Sequence, residues 1–339
     1  MTHAERRSML KTGIIGAGGW GTALAMVLAA NHHQAMLWTR SEDVAHEINS
    51  RHSNHVFLPD VTIPPSIRAT NDPADVADAD LIVIAVPTQY IRSILTSYNF
   101  SLDGKIIVSG AKGIERSSLL RVSEILADVA GITPEKFAVL TGPSHAEEVA
   151  RKMPTTVVSA STSTTVAHAV QKAFTTNVFR VYSSDDVIGA ELGGALKNVI
   201  AIAAGIIDGV NMGDNTKAAL ITRGLAEMTR FGTALGANPH TFSGLSGLGD
   251  LFVTCNSRHS RNRRVGEQIG AGKSLAEILT ETQTVAEGVS TSESAYQLSK
   301  KHGVEMPIVE QVYRIIFDGK PPRKAISELM TRRAKPEQW

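Results

Sequence analysis

Thr12-Gly-Ile-Ile-Gly-Ala-Gly-Gly-Trp-Gly-Thr-Ala-Leu-Ala-Met-Val-Leu-Ala-Ala30 is the stretch that decides the fold. A short apolar strand (12–15) runs into a glycine-rich turn and then into a series of strong helix formers. The turn reads G-x-G-x-x-G in the strand–turn–helix setting that gives this pattern its meaning. Gly16 permits the tight turn, Gly18 lets the backbone approach a pyrophosphate, and Gly21 lets helix and strand pack closely. Amides freed at the helix start then face the anion. A glycine-rich turn without a ligand is the plain alternative, and the flanking strand and helix argue against it.

Outward from this turn, further apolar strand candidates at 35–38, 81–86, 105–109 and 138–141 alternate with helical stretches. That alternation predicts a mostly parallel sheet with crossover helices, an α/β Rossmann-type domain. After Gly189 the strand pattern fades and helix-like segments dominate, at 189–208, 216–235, 260–271, 275–279, 290–302 and 308–317. The expected division is therefore a nucleotide-binding domain over residues 1–188 and an all-α domain over 189–339. There is no internal repeat.

Ligands in open parallel sheets gather beyond the carboxyl ends of the strands. The second strand ends in Leu37-Trp-Thr-Arg40, where an NAD-selective site would usually place a carboxylate for the ribose 2′-hydroxyl. Arg40 offers a planar cation to a 2′-phosphate instead, which favours NADPH. Glu42 and Asp43 lie near enough to leave NADH open, and a solvated loop arginine is the plain alternative. Gly110-Ala-Lys-Gly113 places Lys112 at the ligand edge, and Gly142-Pro-Ser-His-Ala146 can present backbone amides and the Ser144 hydroxyl there.

In the helical half, Lys197 lies within Leu192-Gly-Gly-Ala-Leu-Lys-Asn-Val-Ile-Ala-Ile-Ala-Ala-Gly-Ile-Ile207, an otherwise uncharged run. Burial penalises an ammonium, so a lysine here either snorkels to solvent or is needed for chemistry. On a helical projection it shares its face with Gly193, Gly194, Ala201, Ala204 and Asp208, mostly small residues that leave room for a close approach. Ser243-Gly-Leu-Ser-Gly-Leu-Gly-Asp250 is a glycine-rich loop ending in an acid, with Thr254 one helical turn later. Asn256-Ser-Arg-His-Ser-Arg-Asn-Arg-Arg264 follows. Ser260 reads as an N-cap, which puts Arg261 and Asn262 in a first turn whose amides favour an anion. These three form a candidate phosphate clamp, whereas Arg263 and Arg264 read as a solvated basic helix start.

Bulk properties restrict the function classes. The 339 residues suffice for two domains at ~150 residues each. A net charge of +1 gives no general attraction to nucleic acid or membrane, and the basic cluster is short with few aromatics. Cys255 is the only cysteine, which excludes an internal disulfide and suits a reducing compartment. The opening Met1-Thr-His-Ala-Glu-Arg-Arg-Ser-Met-Leu10 lacks the apolar core of a secretory signal, and no uninterrupted apolar run reaches the ~20 residues of a membrane span. A cytoplasmic setting is expected. No histidine or carboxylate cluster shows metal-ligand spacing, so no metal is expected. The helical half has surface enough for a homodimer face, although no single stripe marks it.

Taken in order, segments 16–25, Phe57-Leu-Pro59, Gly142-Pro-Ser144, 192–198, 215–228, Gly247-Leu-Gly-Asp-Leu251, Ser260-Arg-Asn262 and Val285-Ala-Glu-Gly288 resemble the bacterial NAD(P)-dependent glycerol-3-phosphate dehydrogenases over nearly the whole chain. The resemblance implies reversible reduction of dihydroxyacetone phosphate to sn-glycerol 3-phosphate, the precursor of the phospholipid backbone. It implies cofactor contacts from Gly19, Trp20, Arg40, Lys112, Ala146, Arg261, Val285 and Glu287. Substrate contacts are implied for Lys112, Gly142, Ser144, Lys197, Asp250, Ser260, Arg261 and Asn262, with Asn198 and Thr254 also near the reacting groups. Lys197 matches the catalytic acid–base; Lys112 would polarise the carbonyl and Asp250 orient an ammonium or hydroxyl. Two positions depart from the family pattern: Gly19 stands where serine is common, and His145 where phenylalanine is usual. The rival expectations are another dehydrogenase of the β-hydroxyacid or sugar-phosphate type, and a non-catalytic NADPH-binding regulator.

Overall fold

Four of the five residues in strand β1 (Lys11–Ile15) are buried, as expected of a strand covered on both faces. The computed structural model describes residues 9–281, 285–334 and 336–337; residues 1–8, read above as lacking a secretory signal, lie outside them. After β1 come α1 (Gly19–Ala30), β2 (Gln34–Trp38), α2 (Glu42–Arg51), β3 (Arg68–Thr70), β4 (Leu81–Ile84), α3 (Thr88–Ser97) and β5 (Ile106–Ser109). The first half closes with α4 (Val122–Ala130), β6 (Phe137–Thr141), α5 (Ala146–Ala150), β7 (Thr155–Ala160), α6 (Thr164–Phe174) and β8 (Phe179–Ser184).

These strands form an eight-stranded sheet ordered β3-β2-β1-β4-β5-β6-β7-β8. Successive side chains point to opposite faces. Ile14, Leu37, Val83, Val108 and Leu140 therefore enter one core, and Ile15, Trp38, Ile84, Ile107 and Val139 the other. Every described pairing is parallel except β6 with β7. Strands β3, β7 and β8 extend beyond the five expected. The strand order reverses at β1, whose neighbours are β2 and β4, and this switch point opens a crevice at the strands' carboxyl ends.

The chain divides into two compact units: Met1–Lys112 with Leu120–Glu191, and Gly113–Leu119 with Leu192–Trp339. The second unit takes a short segment that sequence order places in the first half. Inside that unit the Ser294 hydroxyl donates to the Ile114 carbonyl at 3.2 Å, and Arg116 pairs with Glu293. Its helices are α7 (Val187–Gly209, begun in the first unit), α8 (Asp214–Ala234), α9 (Asp250–Asn256), α10 (Arg261–Gly270), α11 (Leu275–Glu281), α12 (Glu287–Lys301), α13 (Pro307–Phe317) and α14 (Pro322–Met330). By length and composition α7 could cross a bilayer, but its apolar window is buried within the protein. Counting uninterrupted apolar residues overlooks it because Glu191 and Lys197 break the run.

One buried carboxyl fastens α8 to α13. Glu227 accepts from the Ile308 amide at 2.9 and 3.0 Å and from the Val309 amide at 3.4 Å, satisfying donors at the start of α13. Burial pushes this carboxyl up to about 8. In an unfolded chain a glutamate titrates near ~4.3, so the stabilisation is complete below that pH and is lost as pH rises through about 8. Thermal unfolding should therefore show a Tm that falls between pH 6 and 9 in the parent and much less in Glu227→Gln, which keeps an acceptor but cannot ionise. Parallel pH profiles for the two proteins would remove this role.

Candidate functional site

Steric crowding decides the geometry of the glycine turn. Gly16 has φ +116°, and a Cβ there would lie 2.9 Å from the Ala85 backbone; a Cβ on Gly21 would lie 1.9 Å from the Gly16 carbonyl oxygen. No atom lies within 4 Å of where a side chain on Gly18 would begin. Gly18 is the N-cap of α1, no side chain caps it, and no acidic residue enters the first turn. The turn thus keeps space and amide donors for an anion. The buried Trp20 indole nitrogen has no hydrogen-bond partner among the described residues.

Sequence reasoning missed the residue that pins this turn. Asn54, buried, donates to the Ala17 carbonyl at 2.8 Å and to the Thr22 hydroxyl at 2.9 Å, while its own carbonyl receives the Leu58 amide. No periodicity could reveal a contact 37 residues long. The same 54–58 segment accounts for Gly19: a Cβ at that position would sit 2.6 Å from the Phe57 carbonyl oxygen. A serine there would require the segment to shift.

Other residues of the carboxyl edge lie near one another. A Cβ on Gly19 would lie 3.7 Å from that of Ala146, the first residue of α5. The Lys112 ammonium donates to the Gly142 carbonyl at 3.0 Å, and the Ser144 hydroxyl donates to the same oxygen at 2.9 Å. His145 is the N-cap of α5. Arg40 lies exposed beyond β2, whereas Glu42 and Asp43 occupy the first turn of α2, where they complement its dipole.

In the second unit the lysine does not snorkel. Lys197 is 7% exposed and donates to Asp250 at 2.5 Å and to the Thr254 hydroxyl at 2.8 Å; Thr254 in turn donates to the Asp250 carbonyl at 2.6 Å. Asp250 is 1% exposed and follows a π-helical turn, Leu245–Gly249, of the kind often found at functional sites. Gly193 admits that turn, since a Cβ there would lie 2.3 Å from the Ser246 carbonyl oxygen. Next to Lys197, Asn198 receives the Asn262 side-chain amide at 2.9 Å, and the Asn262 oxygen receives the Gly288 amide at 2.9 Å. This chain of bonds joins α7, the start of α10 and the start of α12, where Glu287 is the first residue and Val285 lies just outside, exposed.

Ser260 caps α10, its side chain accepting from the Arg263 amide at 3.2 Å, and Arg261 opens the helix with no acidic residue in the first turn. Arg264 is exposed, as a solvated arginine would be. Arg263 is not solvated: it clasps Asp208 through two nitrogens at 2.7 Å, and Lys217 reaches the other Asp208 oxygen at 2.5 Å. Its partner lies 55 residues away, so a basic run hid the pairing. The Cys255 thiol is pushed up to about 12 by burial, which keeps it uncharged and unreactive at neutral pH.

Comparison with known proteins matches both halves of this arrangement. The family model for the N-terminus of NAD-dependent glycerol-3-phosphate dehydrogenase matches residues 11–167, and the model for its C-terminus matches residues 186–327. The chain belongs to the NAD-dependent glycerol-3-phosphate dehydrogenase family. A relative from Chlorobium phaeobacteroides (strain BS1), named glycerol-3-phosphate dehydrogenase (NAD(P)+), is 51% identical, covering 97% of this chain and 99% of its own. A relative of the same name from Citrifermentans bemidjiense is 52% identical over 96% of this chain and 98% of its own. The crystal structure of glycerol-3-phosphate dehydrogenase from Coxiella burnetii superposes with a TM-score of 0.89 at 37% identity, covering 96% and 99% of the two chains.

In this member of the glycerol-3-phosphate dehydrogenase family, α7 and α10 approach backbone to backbone. A Cβ on Gly205 would lie 1.9 Å from the Arg263 carbonyl oxygen, and one on Gly266 would lie 2.0 Å from that of Ile202. Even a methyl group must force the helices apart. Gly266→Ala is expected to lower stability by about 3 kcal/mol in urea unfolding. An unchanged midpoint would show that the helices yield freely.

Proposed function

We propose that this chain catalyses the reversible NAD(P)H-dependent reduction of dihydroxyacetone phosphate to sn-glycerol 3-phosphate, supplying the backbone for glycerophospholipid synthesis in the cytoplasm. The observation that carries the reading is the buried Lys197–Asp250 pair, bonded through Thr254 and set beside a network that reaches the start of α10. Residues 1–188 act in this reading as the NAD(P)-binding domain and 189–339 as the substrate-binding domain.

The glycine turn fits a dinucleotide because it offers open space over Gly18 and an uncapped helix start. Gly16, Gly18, Gly19, Trp20 and Gly21 would hold the cofactor with Arg40, Lys112, Ala146, Arg261, Val285 and Glu287. Arg40 favours the 2′-phosphate of NADPH, and NADH remains a usable alternative. When bound, the reduced nicotinamide supplies the hydride.

The protein's own residues manage the proton and the phosphate. A carboxylate at 2.5 Å favours the ammonium form of Lys197, so the amine enters the reducing direction already loaded with a proton. Lys197 passes that proton to the oxygen that becomes the C2 hydroxyl, and the neutral amine then recovers one from solvent. Lys112 polarises the same oxygen. Ser260, Arg261 and Asn262 hold the phosphate, while Gly142, Ser144 and Asn198 help orient the remainder of the substrate. Binding energy taken from the phosphate fixes the carbonyl in reacting geometry.

Lys197→Ala should reduce turnover by about 10³-fold while nucleotide affinity is retained. Near-parental turnover would eliminate the acid–base role. Arg261→Ala should raise the KM for dihydroxyacetone phosphate by about 100-fold through the loss of charge-assisted hydrogen bonds, with little effect on unphosphorylated dihydroxyacetone. Equal damage to both substrates would refute the phosphate assignment.

A further inference from the structure

Asp208 is a carboxylate that the proposed reaction does not use, set between three helices of the second unit. It lies at the carboxyl end of α7. One of its oxygens accepts from the Arg263 Nε and Nη2 atoms, each at 2.7 Å, and the other faces the Lys217 ammonium of α8 at 2.5 Å. All three side chains are mostly buried, between 15 and 19% exposed. Ion pairs this sheltered are held more firmly than surface ones, whereas loss of the carboxylate would leave two cations side by side.

Arg263 is the third residue of α10, so the clasp acts on the turn that presents Ser260, Arg261 and Asn262. Helix ends fray unless something ties them down. Here two ties arrive from α7: Asn198 receives the Asn262 side-chain amide, and Asp208 receives the Arg263 guanidinium. The Arg263 backbone amide also donates to the Ser260 side chain, so the residue that Asp208 grips carries the helix cap as well. At about 100° per residue, Arg261 and Arg263 stand about 200° apart around α10, on nearly opposite sides. A fixed Arg263 therefore directs Arg261 away from Asp208.

We propose that Asp208 is a positioning residue for phosphate: by holding Arg263 it fixes the first turn of α10 and so aims Arg261 and the turn's amides at the phosphate of dihydroxyacetone phosphate. The inference rests on the phosphate role proposed above for Ser260, Arg261 and Asn262. The sign of the effect separates positioning from simple charge. Removing a carboxylate makes the surroundings more positive, which through space would strengthen the binding of an anion; a loosened turn weakens it.

In steady-state kinetics of the full chain, Asp208→Asn should raise the KM for dihydroxyacetone phosphate about tenfold, with kcat within about twofold and kcat/KM for unphosphorylated dihydroxyacetone unchanged. Arg263→Lys, which keeps the charge but loses the two-nitrogen grip, should raise the same KM, and the double variant should be little worse than the larger single effect. In an Arg261→Ala background, Asp208→Asn should add less than about twofold. A KM that falls or stays parental in Asp208→Asn, or an equal loss with both substrates, would overturn the proposal. Should Asp208→Asn fold poorly, Arg263→Lys decides by the same criteria. If Arg261→Ala itself leaves the KM parental, the phosphate reading fails and this inference with it. If Arg261→Ala raises the KM and Asp208→Asn does not, the positioning role alone falls.

Discussion

Backbone contact between α7 and α10 governs the helical unit. The two helices meet through reciprocal glycines: side chains on Gly205 and Gly209 would strike the carbonyls of Arg263 and Glu267, and side chains on Gly266 and Gly270 those of Ile202 and Ile206. Such an approach draws the first turn of α10 toward the part of α7 that carries Lys197 and Asn198. The Asn198–Asn262 bond and the Arg263–Asp208 clasp are then short-range consequences of a packing distance set elsewhere. Any larger residue at these positions would separate the start of α10 from the part of α7 that carries Lys197 and Asn198.

Stability alone gives little reason for the Lys197–Asp250 pair. Removing two ions from water costs several kcal/mol each, and their attraction offsets that cost only with good geometry and further hydrogen bonds. Thr254 supplies one such bond. An apolar pair of similar volume would hold the helices together as well. The neighbouring Cys255 stays neutral, so it leaves the charge balance of the pair undisturbed.

The sheet was legible wherever a short apolar run stood apart from the helical stretches: β1, β5 and β6 adjoin a glycine, the run of β4 is stopped by Pro87, and β2 follows the first helix directly. Strand β3 has three residues, too few for periodicity to emerge. Strands β7 and β8, Thr-Thr-Val-Val-Ser-Ala and Phe-Arg-Val-Tyr-Ser-Ser, bury alternate positions over their first four residues. A search for continuous apolar runs passes over that pattern, although a search for period two would not. At the site, a charge inside an apolar helix exposed Lys197 to inspection, and glycine spacing did the same for the nucleotide turn. Partnerships were not legible: Asp250 is 53 residues from Lys197, and Ile114 is 180 from Ser294. Such contacts depend on how helices pack, which local patterning does not encode.

The reversal between β6 and β7 gives the sheet two rims with different duties. Because β7 runs against β6 and β8 runs with β7, the connections that leave β7 and β8 emerge at the rim opposite the one carrying Gly16, Lys112 and Gly142. On the proposed reading those outgoing loops meet neither nucleotide nor phosphate, so they are free to be lengthened, shortened or decorated. Variation among relatives should therefore accumulate around residues 161–163 and 185–186 well before it touches the opposite border.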